Sequence, residues 1–182
     1  MFYINIFTEP LFYIIVFAVL AIVVGIVVFF ILTSPTPNKT GWHNEITCKL
    51  TEANIPHQLI KSTNNLYDYE LIIEDKKYLI KLLGIPSYSE VQINNVTTWE
   101  IKFGAGKNPG KVQPFKRFAQ GIEGFMNLVT KQNEQRVVIL SPDAKKITKY
   151  INECEIVFVN SKTNVYNVRV INESDFSLFI KK

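Results

Sequence analysis

The chain has 182 residues, enough for one domain of ordinary size and one additional segment. Its 20 basic and 16 acidic residues give a net charge of +4, a mild excess that suits anionic headgroups or nucleic acid without demanding either. Cys48 and Cys154 lie in no CxxC or histidine spacing of a zinc site, which favours free buried thiols in a reducing compartment.

An apolar segment runs from Leu11 to Leu32 without a charged side chain. A helix of this length spans about 33 Å, enough to cross the hydrocarbon core of a bilayer. A cleaved signal peptide is disfavoured because residues 1–10 contain no Lys or Arg. A buried core helix is disfavoured because polar positions do not recur with a helical period. The sequence therefore predicts a short extension over 1–10 and a transmembrane helix over 11–32.

Basic residues are distributed unequally about this segment. Residues 1–38 contain no Lys or Arg, whereas Lys39 and Lys49 follow soon after the segment. The positive-inside rule then assigns the carboxyl-terminal part to the cytoplasm. We expect a single-pass protein of the cell membrane, with a linker over 33–41 and a soluble domain over 42–182.

The first part of the soluble domain predicts one helix and three strands. Ile46, Leu50 and Ala53 have the spacing of an amphipathic helix. The stretch YDYELIIEDKKYLIKLLGI predicts two strands around a tight turn at Glu74–Lys77. The stretch SEVQINNVTTWEIKF predicts a third strand region, with a break at Asn94–Asn95.

The second part predicts two helices and three strands. PFKRFAQGIEGFMNLVTKQ predicts a helix that begins at Pro114 and has Phe115 and Phe118 on its apolar, core-facing stripe. SPDAKKITKYINE predicts a second surface helix. QRVVILSP and CEIVFVNS are typical of buried strands, and TNVYNVRVIN predicts a further strand. This order predicts an α/β domain, with α+β as the alternative, in which helices cover the faces of one mixed sheet.

The stretch Trp99–Phe118 carries five basic residues, three glycines and a single acid. Part of it has the spacing of a nucleotide phosphate loop, but Val112 stands where that loop needs Ser or Thr to hold magnesium. Exposed cations and backbone amides favour phosphate, in a nucleic acid or in a lipid headgroup. The candidate binding residues are the cations of this basic loop, Lys107, Lys111, Lys116 and Arg117.

Two pairs of residues have the spacing of a metal-dependent hydrolytic site. Glu100 and Lys102 lie two apart in a predicted strand and so share one face, as do Asp68 and Glu70 on an earlier strand. Carboxylates from both strands, if they met, would hold Mg²⁺ and activate a water against a phosphodiester, with Lys102 beside them. The alternative is a solvated strand face on which Glu100 and Lys102 form a salt bridge.

The order helix, three strands, helix and strand, with Asp68 early and Glu-Ile-Lys on the third strand region, resembles the PD-(D/E)XK nuclease-like core over 42–141. The resemblance implies that Asp68 is the metal-binding acid and that Glu100 and Lys102 are the Glu-x-Lys pair.

The chain departs from that family in two ways. No Pro-Asp precedes the acid-bearing strand, where LYDYE stands instead. The family's pair often lies on the strand that follows directly, and this chain has Lys81 and Leu83 there. In that register the site is degenerate and the domain is inactive.

These observations favour a non-enzymatic binding or adaptor module over an enzyme. Its partners would be the membrane that holds it, an anionic lipid surface or nucleic-acid phosphate at the basic loop, and a protein that the sequence does not identify. No cofactor is expected for such a module. The alternative is a membrane-tethered nuclease that uses Mg²⁺, with Asp68, Glu100 and Lys102 as catalytic residues and Asp68, Glu70 and Glu100 as metal ligands.

Overall fold

The computed structural model describes residues 10–32 and 39–180, with side chains described for 12–28 and 39–180. The chain divides into two compact units, one up to residue 35 and one from residue 36 onward. Residues 1–9 of the predicted extension over 1–10 and residues 33–38 of the predicted linker over 33–41 lie outside the described residues. Residues 39–41, expected at the end of the linker, belong to a helix.

The first unit contains helix α1, Pro10–Leu32. The helical conformation of this segment was predicted and is confirmed. Among the residues that the structure describes, however, no helix has both the length and the apolarity needed to cross a membrane. On this finding, the prediction of a transmembrane helix over 11–32 is wrong.

The second unit is a mixed α/β domain, as its class was predicted to be. Its described helices are α2 (Lys39–Glu52), α3 (Glu123–Met126) and α4 (Phe176–Ile180), with a 3-10 turn at Glu173–Asp175. Its described strands are β1 (His57–Lys61), β2 (Tyr69–Ile73), β3 (Lys76–Gly84), β4 (Ser89–Ile93), β5 (Trp99–Phe103), β6 (Glu134–Ser141), β7 (Lys146–Asn152), β8 (Glu155–Phe158), β9 (Asn164–Val165) and β10 (Val168–Asn172).

These strands form two sheets rather than the one sheet that was expected. The larger has six strands in the order β1-β2-β3-β6-β10-β9, with β3, β6 and β10 parallel to one another and the outer pairs antiparallel. The smaller has four strands in the order β5-β4-β7-β8, with β4 and β7 parallel. The chain therefore crosses between the sheets four times, after β3, β5, β6 and β8.

Two hydrophobic cores lie on the two faces of the six-stranded sheet. On one face, Trp42 and Ile46 of α2 and Phe176 of α4 pack with alternate residues of β2, β3 and β6. On the other face, the inward residues of β3, β6 and β10 pack with those of the four-stranded sheet, such as Val91 and Trp99. The six-stranded sheet thus has an apolar layer on each face, whereas only one face of the four-stranded sheet contributes to a core.

The predicted helix over 114–132 is wrong for most of its length. Only Glu123–Met126 is helical, and Gly121 has a φ of +72°, a left-handed conformation that interrupts a right-handed helix. Phe115 and Phe118, predicted to face the core, are 80% and 38% exposed. The segment before the glycine instead runs beside β5 and hydrogen-bonds to it.

The predicted surface helix over 141–153 is also wrong, because most of it forms strand β7. Ile147 and Thr148 are β-branched, and β7 pairs with β4 on one side and β8 on the other. Such pairing outweighs the helical spacing of the apolar residues. The stretch CEIVFVNS forms a strand as predicted, but Glu155–Phe158 is exposed rather than buried because it lies at the sheet edge. Cys48 and Cys154 are free but exposed, not buried.

Other predictions for the second unit are confirmed. Helix α2 buries Ile46 and Leu50, although Ala53 falls just beyond its end. The tight turn lies between β2 and β3, with Glu74 at a φ of +51°. The continuous apolar run of β6 is fully buried from Val137 to Leu140.

Candidate functional site

Asp68 lies directly before β2, and its carboxylate contacts other groups of the same domain. Its Oδ1 lies 2.6 Å from the Nζ of Lys39 at the start of α2. Its Oδ2 accepts a hydrogen bond of 2.8 Å from the backbone N–H of Leu82. Both carboxylate oxygens therefore have partners that join α2 and β3 to the beginning of β2.

Glu70 faces the opposite side of the same sheet from Leu71 and has two strong partners of its own. Lys77 Nζ lies 2.8 Å from its Oε2, and the hydroxyl of Tyr67 donates a hydrogen bond of 2.5 Å to its Oε1. The hydrogen bond from Lys77, followed by that from Tyr67, holds the pKa of Glu70 below its usual range. The same bond from Tyr67 to Glu70 raises the pKa of the Tyr67 phenol.

Glu100 and Lys102 lie on β5 of the four-stranded sheet, on the face turned away from the core. Lys102 Nζ is 3.6 Å from Glu100 Oε2 and donates a hydrogen bond of 2.7 Å to Gln92 Oε1 on β4. Arg117 Nε lies 3.5 Å from Glu100 Oε1. The salt bridge expected from the solvated-face alternative is therefore present.

The proposed metal ligands are thus divided between two sheets. Asp68 and Glu70 belong to the six-stranded sheet and Glu100 to the four-stranded one. Among the described residues, no group of three or more His, Cys, Asp or Glu side chains is arranged to hold a metal ion. The strand next to Asp68 is β3, which carries Lys81 and Leu83 and no acid. The nuclease alternative stays a prediction.

The basic loop begins at the end of β5 with a tight backbone turn. Gly110 donates its N–H to the carbonyl of Phe103, and the N–H of Phe103 donates to the carbonyl of Lys111. Gly106 and Gly110 both have positive φ angles, +87° and +72°, that a residue with a side chain rarely adopts. Lys107 and Lys111 are exposed there and form no salt bridge with any described residue.

The chain after this turn runs along the free edge of β5. The N–H of Gln113 donates to the carbonyl of Ile101, and the N–H of Ile101 donates to the carbonyl of Arg117. An isolated bridge sets Phe118 opposite Glu100. Lys116 and Arg117, the remaining cations of the basic loop, lie in this segment and therefore at the edge of the four-stranded sheet.

Cations and aromatic rings are paired at both borders of the four-stranded sheet. The guanidinium carbon of Arg117 lies 5.0 Å from the ring centroid of Phe118. Lys146 Nζ on β7 lies 4.9 Å from the ring centroid of Phe158, which is 67% exposed on β8. These distances are those of cation–π contacts.

The two rings lie on the same face of the sheet. Strand registers place Phe118, Glu100, Gln92, Thr148 and Phe158 in one row across it. Four steps of about 4.8 Å separate the ends of the row, or about 19 Å. Polar side chains therefore occupy the middle of this outer face and exposed aromatic rings lie at both ends, an arrangement that can stack flat rings and bind phosphate between them.

Lys145, Lys146 and Phe158 were not among the candidate residues predicted from the sequence. The two lysines fell in a segment predicted as a helix, and Phe158 fell in a strand predicted to be buried. The alternation of polar and apolar residues in Lys146-Ile147-Thr148, with two β-branched residues, was the available signal for a strand.

Comparisons with known proteins add no assignment, since no protein-family model, no curated protein and no solved structure matches this chain.

Proposed function

We propose that the second unit is a non-enzymatic binding module for single-stranded nucleic acid. The strand would lie on the outer face of the four-stranded sheet, with phosphates at the basic loop and bases against the exposed rings. The observation that carries the proposal is the presence of Arg117–Phe118 and Lys146–Phe158 pairs at the two ends of one sheet row. Proteins that bind single strands combine cations along the backbone with aromatic side chains on which bases stack.

The charges of this surface support the proposal. Residues 88–118 contain five basic side chains and two acids, Glu90 and Glu100. Glu100 is already engaged by Lys102 and Arg117, whereas Lys107 and Lys111 form no salt bridge with a described residue. Two uncompensated lysines on an exposed glycine turn are available to displace counterions from phosphates.

A lipid surface is a poorer fit for the same face. An apolar acyl region would have to cover the half-buried polar side chains of Gln92 and Lys102 between the two rings. Removing such groups from water without new partners costs about 2 kcal/mol or more for each. A nucleic acid strand, by contrast, supplies phosphates, sugar hydroxyls and base edges that can replace water there.

The basic loop is tested by salt-dependent binding of a labelled single-stranded oligothymidylate to the full chain, followed by fluorescence anisotropy. Each phosphate contact on a single strand contributes about −0.7 to the slope of log K against log salt concentration. We expect the double variant Lys107→Gln/Lys111→Gln to bind more weakly. Its slope should be shallower, that is, less negative by about 1.4.

The matched control is Lys61→Gln/Lys131→Gln, which removes the same charge from two exposed lysines on the six-stranded part of the domain. This control should leave the slope unchanged. Equal effects of the two double variants would mean that the loop contributes only through the net charge of the protein. A wild-type chain that binds anionic vesicles but no oligonucleotide would refute the proposal. A duplex of the same length should bind less tightly than the single strand, because its bases are not free to stack.

A further inference from the structure

A cleft of about 580 Å³ opens where the carboxyl ends of β6 and β10 meet the beginning of β7. One wall is formed by residues 144–147, which lead from the six-stranded sheet into the four-stranded sheet, and another by 170–172 of β10. Residues 158–161, from the last residue of β8 onward, close a third side. The volume lies in the range of small-molecule sites, and the carboxyl ends of parallel strands are where α/β sheets commonly bind ligands.

The walls of the cleft are held by side-chain hydrogen bonds. Asn172 Oδ1 accepts a hydrogen bond of 2.9 Å from the N–H of Ala144, and Asn172 Nδ2 donates one of 3.0 Å to the carbonyl of the same residue. Asp143 Oδ1 accepts a hydrogen bond of 3.2 Å from the N–H of Ser174. The crossover from β6 to β7 is thereby joined to the end of β10, which fixes two walls before any ligand binds.

Cations, two carboxylates and an aromatic ring meet in this cleft, and one of the carboxylates, Glu90, lies opposite Lys146 in the register of β4 with β7. Lys145 Nζ lies over the ring of Tyr88 at 5.1 Å, and Lys146 Nζ lies over the ring of Phe158. Neither ammonium group forms a salt bridge with a described residue, and the same holds for the carboxylate of Asp175 on the opposite wall. The cleft therefore offers positive charge, hydrogen-bond acceptors and a flat apolar surface to one ligand.

The cleft is continuous with the start of the basic loop. Gly104, the first residue after β5, lines the cleft, and a Cβ built there would lie 2.6 Å from the carbonyl oxygen of Tyr88. Only glycine allows the two backbones to approach so closely. Lys107 and Lys111 lie three and seven residues further along the chain, so the loop that carries them begins at the cleft.

We propose that the cleft binds one nucleotide unit. Its phosphate is held by Lys145 and Lys146, its base stacks on the open side of Phe158, and a sugar hydroxyl donates a hydrogen bond to Asp175. This inference rests on the proposed function, because the unit is the end of the single strand held at the basic loop. A free nucleoside monophosphate has the same chemistry and would occupy the same place.

The test measures two ligands with the same variants of the full chain. Thymidine 5′-monophosphate is followed by titration calorimetry, and the labelled oligothymidylate by anisotropy. Phe158→Leu should weaken binding of the monophosphate about five- to hundred-fold, the effect of losing one stacked base. Lys146→Gln should weaken it as well, and the monophosphate should compete with the oligonucleotide.

Two controls match these variants. Ile156→Ala removes an exposed apolar side chain from the same face of β8, and Lys149→Gln removes a lysine of β7 that stacks on Tyr166 instead of Phe158. Neither control should alter binding of the monophosphate. A circular-dichroism melt of each variant establishes that the exposed substitutions leave the fold intact.

The outcomes separate the two claims. Oligonucleotide binding that depends on Lys107, Lys111 and Phe158, with no binding of the monophosphate and no competition by it, would overturn the cleft and leave the proposed function standing. Monophosphate binding that depends on Phe158, without oligonucleotide binding, would overturn the proposed function and identify a site for free nucleotides. If the monophosphate competes with the oligonucleotide for the wild-type chain but not for Phe158→Leu, both the cleft and the proposed function are supported.

Discussion

The two sheets of the second unit use their faces in different ways. The six-stranded sheet is apolar on both faces, where helices α2 and α4 cover one side and the four-stranded sheet covers the other. The four-stranded sheet contributes one face only to an apolar core, and its other face carries charged, polar and aromatic side chains, of which Glu100 and Thr148 are buried. The comparison indicates that the first sheet supplies most of the stability and the second supplies the surface available for binding.

The two sheets differ in how far they bury the same residue type, as one isoleucine and one arginine from each region show. Ile80 on β3 has no exposed surface, whereas Ile156 on β8 is 51% exposed. Arg136 on β6 is buried, whereas Arg117 beside β5 is exposed. Each pair allows the same substitution to be made in both regions.

The largest contrast in stability is expected for isoleucine truncation. Ile80→Ala should lower the free energy of unfolding by about 2–5 kcal/mol, because it leaves a cavity between α2 and the sheet. Ile156→Ala should change it by no more than about 0.5 kcal/mol. Urea denaturation monitored by tryptophan fluorescence measures both. Similar losses for the two variants would mean that the edge strand β8 is covered by another surface.

Replacement of arginine gives the next contrast. Arg136 donates hydrogen bonds to the carbonyls of Phe125, Met126 and Tyr166, and its burial lowers the pKa of the guanidinium. It forms no salt bridge with a described residue, so its contribution depends on these carbonyls. Arg136→Met removes the side-chain donor to the carbonyls of Met126 and Tyr166, whereas the carbonyl of Phe125 keeps the N–H of Leu128, and the change should cost about 1–3 kcal/mol of stability.

Arg117→Met is the control for this change. Arg117 is exposed and holds only the side chain of Glu100 and the ring of Phe118, so its loss should leave stability nearly unchanged. It should instead weaken oligonucleotide binding. An unchanged melting temperature for Arg136→Met would show that the carbonyls of Met126 and Tyr166 find water or new donors.

The same contrast explains which elements could be predicted from the sequence. In the six-stranded sheet, the local sequence pattern predicts burial. The continuous apolar run Val137–Leu140 predicts a strand covered on both faces, and all of its side chains are buried. The spacing of Ile46 and Leu50 predicts α2 for a similar reason. The acids of this sheet were less predictable, because the partners of Asp68 and Glu70 depend on which strands pair.

In the four-stranded sheet, burial depends on neighbours that are distant in sequence. Phe115 and Phe118 have helical spacing, but Gly121 ends any helix and pairing with β5 holds the segment extended. Phe158 lies in an apolar run, yet the run is at the edge of a sheet with one uncovered face. Such positions follow from tertiary pairing, which overrides local propensity.

The smallest expected effect concerns the ion pair of Glu70 in the six-stranded sheet. The bonds from Lys77 and Tyr67 lower the pKa of Glu70 in the folded state, so the folded protein binds fewer protons than the unfolded chain. This contribution is complete above the ordinary glutamate pKa of about 4.3 and is lost as the pH falls through the lower folded value. Glu70→Gln should therefore cost about 0.2–1 kcal/mol near pH 7, and its stability should fall less steeply than that of the wild type below about pH 4.3.

The measurement is urea denaturation at a series of pH values between neutrality and the acid limit of folding. Glu153→Gln serves as the control, since Glu153 is exposed in the β7–β8 turn and forms no salt bridge with a described residue. The control should follow the wild-type curve throughout. If Glu70→Gln follows it as well, the contact of Glu70 with Lys77 contributes nothing to folding.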